Sequence, residues 1–217
     1  MSGRIVQIDA QRQTRARSAW ARALAAGLCA VTIGAGAVTG LAACSPRAGP
    51  TSSQGGGPGG PFSLVDQNGR AVDQSVLKGK WTVVFFGYTY CPDVCPATLT
   101  VLGQAMDQLG PKAKDAQVVF ITVDPARDTP AQLKKYLSSP VFPKNIIGLT
   151  GSATQIAQAA KAYDVYYEKA GGGANYTVDH SVVLYLMDPQ GRFKRPIAEG
   201  ITPEETRKQI AEAMSGA

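Results

Sequence analysis

Read as a pattern of hydrophobic and polar positions, the chain changes character twice. Residues 23–40 are apolar and uncharged, residues 45–60 are almost all Gly, Pro, Ser and other small residues, and from residue 61 the pattern is that of a folded domain. Two continuous apolar runs in that domain, Trp81–Phe86 and Val118–Val123, are rich in β-branched and aromatic residues and predict strands buried on both faces. Phe62–Gln74 carries Asp66-Gln-Asn-Gly-Arg70, an Asn-Gly turn between short apolar stretches, and predicts a hairpin. A helix is expected from Pro92 to about Leu109, ended by Gly110-Pro111. A second has Pro130 at its first position, Thr129 or Asp128 as cap, Leu133, Tyr136 and Leu137 as apolar residues, and its end before Pro140. Ile146–Leu149 reads as a short strand, and Ser152 caps a helix with Ile156, Ala159, Ala160 and Tyr163 on one face. Tyr166–Thr177, with Gly171-Gly-Gly173, reads as a mobile insertion. Val182–Leu186 and Phe193–Ile197 are strands joined by the turn Asp188-Pro-Gln-Gly191, and Thr202-Pro-Glu-Glu205 is a capping box opening a last helix to about Met214. Strands alternating with helices, closed by a hairpin and a helix, define an α/β domain with a central mixed sheet.

Charge changes the picture only at the N-terminus. Residues 1–43 hold five arginines and one acid, so they carry +4 of the formal net charge of +6. The remaining chain is nearly balanced and gives no reason to invoke nucleic acid. A basic segment, Arg12–Arg22, then the apolar Ala23–Gly40, then Leu41-Ala-Ala-Cys44 have the layout of an export leader. Leu41-Ala-Ala-Cys44 resembles the lipobox of bacterial lipoproteins, which implies cleavage before Cys44, acylation of Cys44, and a lipid-anchored domain on the extracytoplasmic face of the cell membrane. An uncleaved membrane anchor is the alternative, since eighteen uncharged residues lie near the lower limit for a span. The many small residues weaken that alternative. The segment 44–60 then serves as a tether, with a random-coil reach on the order of 20 Å. The expected organisation is a leader at 1–43, a tether at 44–60 and one domain at 61–217.

Cysteine counting isolates the candidate chemistry. Of four cysteines, Cys29 falls in the leader and Cys44 is the anchor, which leaves Cys91 and Cys95 within Gly87-Tyr-Thr-Tyr-Cys-Pro-Asp-Val-Cys-Pro-Ala-Thr-Leu99. A structural disulfide across three residues closes a tiny loop and gains little, so the pair is better suited to reactivity. On one helix face the two thiols lie about 5–6 Å apart between Cβ atoms. In a first turn the unpaired N–H groups and the helix dipole favour thiolate.

The only histidine of the chain, His180, stands just before Val182–Leu186. A lone histidine is ordinarily a surface or packed residue. Here a strand beside the first core strand can bring it over the start of the cysteine helix, making it the candidate third ligand. Two thiolates and one imidazole suit Cu(I), Cu(II) or Zn(II). Three ligands fall short of a closed structural zinc site, and iron–sulfur clusters want four cysteines.

Three motifs in order, Cys-Pro-Asp-Val-Cys-Pro at 91–96, Asp-Pro-Ala-Arg-Asp-Thr-Pro at 124–130 and Asp-His-Ser-Val-Val-Leu-Tyr-Leu-Met-Asp-Pro-Gln-Gly at 179–191, resemble the Sco/SenC family of copper-binding assembly proteins. The resemblance covers about residues 60–215. It implies a thioredoxin-like fold, a central mixed sheet flanked by helices with an N-terminal hairpin and an insertion before the last hairpin. It also implies copper held by Cys91, Cys95 and His180. The family's partners would be subunit II of cytochrome c oxidase, whose copper A centre receives copper or reducing equivalents, and a thioredoxin-like reductant that reopens the Cys91–Cys95 disulfide. That describes a metallochaperone rather than a turnover enzyme. The alternative on the same fold is a thiol-disulfide oxidoreductase or peroxidase using Cys91 and Cys95 without His180; a lipid-anchored binding domain with an inert disulfide is the blandest reading. Asp124 is expected to form a turn, while the resemblance implies that it supports the metal-binding histidine or contacts a partner. Asp93 is expected to complement the helix dipole, and Tyr88 and Tyr90 to shield the site or form partner surface.

Overall fold

The structure is a computed structural model and describes residues 57–216 except 199 and 201. The leader at 1–43, Cys44 and most of the tether lie outside the described residues. Among those residues no helix is long and apolar enough to cross a membrane.

The two apolar runs are the centre of the domain. Strand β3 (Trp81–Gly87) pairs in parallel with β4 (Ala116–Thr122), and six of seven residues in the first and all seven in the second are buried. Strand β5 (Ile146–Thr150) continues the parallel set beside β4. The Asn-Gly hairpin forms as expected from β1 (Ser63–Asp66) and β2 (Ala71–Asp73). It does not stand apart, because β1 pairs antiparallel with β5 and so extends the main sheet. On the other side β8 (Leu184–Met187) runs antiparallel to β3, and β9 (Phe193–Ile197) follows it. The seven-stranded order is β2-β1-β5-β4-β3-β8-β9, a mixed sheet.

Among the described residues four helices cover the sheet: α1 (Val94–Gln108), α2 (Pro130–Leu137), α3 (Ala153–Ala162) and α4 (Pro203–Met214). Alternation along β3 decides which layer each residue serves. Phe85 meets Phe120 of β4 at 5.6 Å, and Phe120 meets Tyr136 of α2 at 6.2 Å. Phe86 turns to the opposite face and meets Tyr163, the residue closing α3, at 5.3 Å. Three helix starts carry the cap residue expected from the sequence, but only Ser152 closes a full capping box; the one expected at Thr202–Glu205 forms only its first half. Thr129 and Ser152 accept from the backbone N–H groups of Gln132 and Gln155, and the Ser152 N–H donates in return to Gln155 Oε1, completing the box. At α4 the Thr202 hydroxyl accepts from Glu205 N–H, while the Glu205 carboxylate is turned along the helix to Gln209.

Two departures from the sequence pattern shape the site. The stretch expected as an insertion at 166–177 folds into β6 (Tyr167–Ala170) and β7 (Thr177–His180), an antiparallel pair forming its own two-stranded sheet. His180 therefore ends β7 rather than leading directly into β8. Helix α1 begins at Val94 rather than Pro92, because Asp93 has the non-helical angles φ −141° and ψ −71°.

Candidate metal centre

Three segments meet at the carboxyl end of β3: the β3–α1 loop, the β4–α2 loop and the β6–β7 hairpin. Gly87 closes β3 where space is tightest. A Cβ there would stand 2.9 Å from Cys95 Sγ and 2.9 Å from Phe120 Cε2, so only glycine lets the Cys95 sulfur approach the strand.

The cysteines are free thiols in unlike environments. Cys95 is in the first turn of α1 and fully buried, whereas Cys91 is half-buried in the turn before the helix. The expectation of two thiols on one helical face is therefore corrected: one is helical and the other precedes the cap. The reason is local. Asp93 takes the cap position without making a side-chain cap bond, and Cys91 Sγ instead accepts the Cys95 N–H at 3.4 Å. That N–H is one of the donors a helix start leaves unpaired. The exposed Asp93 carboxylate stands where the helix dipole favours it. At Cys95 burial pushes the thiol up, well above the ordinary range, reinforced by the neighbouring Cys91 and only partly offset by a backbone hydrogen bond from Tyr88. Desolvation there outweighs the helix terminus, and Cys95 keeps its proton at neutral pH until something replaces it.

The hairpin brings His180 to this point across 85 positions of sequence, with Nε2 3.8 Å from Cys95 Sγ. Its other nitrogen, Nδ1, lies 3.0 Å from the Ser181 carbonyl. A carbonyl only accepts, so that contact assigns the proton of the neutral ring to Nδ1 and turns the Nε2 lone pair towards the cysteine. Tyr88, 3% exposed, packs edge-on against the imidazole at 5.9 Å between centroids. Tyr90 is 52% exposed beside the site and faces the Arg127 guanidinium at 4.6 Å. Among the described residues no three His, Cys, Asp or Glu side chains are already gathered tightly enough to hold an ion. What the fold joins is Cys95 to His180, with Cys91 beside them on the Cys95 amide.

Asp124 does not reach the imidazole. It is buried, holds Arg127 Nε at 2.5 Å and accepts the Tyr176 hydroxyl at 2.6 Å. Asp128, weighed at the sequence level only as a helix cap, has a larger part. Fully buried, its carboxylate accepts the Thr89 N–H at 3.0 Å, the Thr89 hydroxyl at 2.6 Å and the Thr122 hydroxyl at 2.6 Å. It ties the loop leading to Cys91 to the end of β4. Burial raises its pKa, against the lowering effect of those hydrogen bonds. The signal available in the sequence was Asp128 following Asp124 at four residues in a Pro-bounded loop, which alone does not distinguish a cap from a buried anchor.

A thioredoxin-like α/β domain with a thiol pair between its first central strand and helix, and an imidazole delivered opposite, is the class that fold and geometry define. A protein-family model described as SCO1/SenC matches residues 51–215, and the chain belongs to that family. It is 45% identical over 137 residues to "Protein SCO1 homolog 1, mitochondrial" of Arabidopsis thaliana, covering 62% of this chain and 40% of that protein. The chain spans about half the length of the curated relatives it matches. Among solved structures it resembles Bradyrhizobium japonicum ScoI with copper bound, at 46% identity and a TM-score of 0.66, covering 71% of this chain and 98% of that one. Arabidopsis thaliana ScoI with copper bound is similar at 38% identity and a TM-score of 0.69, with 73% and 99% covered.

Proposed function

We propose that this domain binds a copper ion through Cys91, Cys95 and His180 and serves as a metallochaperone in assembly of cytochrome c oxidase, delivering copper to the copper A centre of subunit II. The observation that carries the reading is the approach of His180 Nε2 to Cys95 Sγ in a family whose solved members include copper-bound proteins. Thiolate and imidazole donors suit copper, and a site short of four protein ligands suits a metal that must leave again. Loading requires Cys91 Sγ to turn from the Cys95 amide towards the ion and Cys95 to release its proton, so binding strengthens as pH rises.

The cysteines also make the site redox-dependent. A Cys91–Cys95 disulfide cannot ligate, and reopening it takes two electrons and two protons from a thioredoxin-like dithiol, which leaves as a disulfide. The leader and Cys44 fit a lipid-anchored protein on the extracytoplasmic face of the cell membrane, with the tether letting the domain reach membrane partners. Mass spectrometry of the mature N-terminus tests that anchor: an acylated Cys44 is expected, and an unmodified chain beginning elsewhere contradicts it.

The second reading, a thiol-disulfide oxidoreductase or peroxidase, is favoured by one feature: Cys91 is partly exposed and its sulfur accepts a helix N-terminal N–H. His180→Ala separates the two. The chaperone loses or alters its copper absorption, whereas the oxidoreductase retains its disulfide or peroxide turnover unchanged.

A further inference from the structure

Among the described residues strands β6 and β7 pair with each other and with no strand of the main sheet, and a two-stranded hairpin alone is marginal in water. Something must therefore seat the element that carries His180. At its base Ser181 N–H donates to the Tyr166 carbonyl at 2.9 Å, and Tyr166 N–H donates to Ser181 Oγ at 3.1 Å. Towards its tip, beyond the buried Val178, the polar ties run to two side chains of the β4–α2 loop, Arg127 and Asp124. The Arg127 guanidinium lies over the Tyr176 ring at 3.6 Å, and its Nη1 donates to the Ala174 carbonyl at 3.4 Å. Asp124 grips both partners, holding Arg127 Nε and accepting the Tyr176 hydroxyl. The same guanidinium faces the Tyr88 ring at 5.9 Å, the ring that flanks His180, and the Tyr90 ring next to Cys91. It is 15% exposed, so these contacts act away from bulk water, where cation–ring attraction is largest.

We propose that Arg127, Asp124 and Tyr176 form a latch that seats the β6–β7 hairpin against the cysteine loop, making Arg127 and Tyr176 positioning residues for the His180 imidazole. The one cation joins the two halves of the site: the loop that presents Cys91 and the hairpin that presents His180. Asp124 acts on the imidazole through the hairpin rather than by a bond to the ring. The consequence for copper loading rests on the metal reading above, but the latch is a property of the metal-free protein and is tested there.

The chain has a single histidine, so one imidazole signal in NMR spectra of the reduced, metal-free full chain reports on His180 alone. Tyr176→Phe keeps the ring under Arg127 and removes only the hydroxyl bond to Asp124, which makes it a mild variant. Amides of 177–180 are expected to exchange with solvent at least about tenfold faster, with the imidazole signal broadened or split and amides of β3 and β4 unchanged. Arg127→Gln should do more, and Arg127→Lys, which keeps the charge but not the planar stack, should fall between. An unchanged imidazole signal and unchanged exchange at 177–180 in both Tyr176→Phe and Arg127→Gln overturns the latch. So does acceleration that is uniform across β3, β4 and β7. Copper titration of the same proteins separates this result from the functional reading. Wild type that binds no copper sinks the metal site while the exchange data still decide the latch; copper-binding wild type with unmoved exchange data sinks the latch alone.

Discussion

At the scale of single residues, the site rests on two cysteines made unlike by a few ångströms of burial. Cys91 is half-buried with its sulfur on an amide, and Cys95 is fully buried with its thiol pushed up. Alkylation of the reduced protein with iodoacetamide near neutral pH should therefore modify Cys91 first and leave Cys95 largely unmodified, as read by peptide mass spectrometry. Equal labelling of both would show that the burial of Cys95 does not govern its chemistry. Asp128 is the residue whose weight the sequence hid. Replacing it with Ala strands the Thr89 N–H and removes the acceptor of two hydroxyls, at a cost of about 2–3 kcal/mol in denaturant unfolding. Its raised pKa has a sign of its own: the folded state prefers the protonated carboxyl, so that contribution is present below the ordinary carboxylate range and lost as pH rises through the raised value.

At the scale of elements, what could be read beforehand followed from continuous apolar runs and from capping residues. Trp81–Phe86 and Val118–Val123 were legible because strands buried on both faces leave no polar alternation to misread. Thr129, Ser152 and Thr202 marked three helix starts correctly. The hairpin that carries His180 was not legible. Its strands are four residues each, with only Val178 buried, separated by a glycine-rich stretch, and tied by a cation–ring contact that no periodicity encodes. The start of α1 was misplaced for a related reason: proline at 92 fits a first helical position, but the cap is Asp93 and a sulfur does the capping bond. The junction of β3 and α1 gives the sharpest prediction at this scale. Gly87→Ala forces a methyl group into Cys95 Sγ and the Phe120 ring and should destabilise the fold by roughly 1–3 kcal/mol. A thermal unfolding midpoint matching wild type would contradict the close approach.

At the scale of the whole molecule, the turns of the first and last hairpins are pinned by carboxylates whose titration makes the stability of the fold depend on acid pH. Asp66 is buried, which alone would raise its pKa, yet hydrogen bonds from the backbone and side chain of Arg70 and the backbone of Asn68 hold it below its usual value. Asp188 is depressed in the same way, its burial outweighed by Arg192 and Gln190. A depressed folded pKa means stability fully present above the ordinary carboxylate range and lost as pH falls through the depressed value. Asp66→Asn should thus cost about 1–2 kcal/mol at pH 7 and nothing measurable at an acid pH below the depressed value. Urea unfolding at the two pH values checks this, and a penalty that persists in acid would mean that geometry rather than ionisation is responsible.

The central claim is that two thiols and the one imidazole, separated by most of the domain in sequence, act together on copper. The most direct measurement is X-ray absorption spectroscopy of the reduced protein loaded anaerobically with Cu(I), beside His180→Ala. The account predicts about one copper per chain, coordinated by two sulfurs and one nitrogen, with the nitrogen lost in the variant. Sulfur-only coordination in wild type, or a spectrum indifferent to His180→Ala, would contradict it.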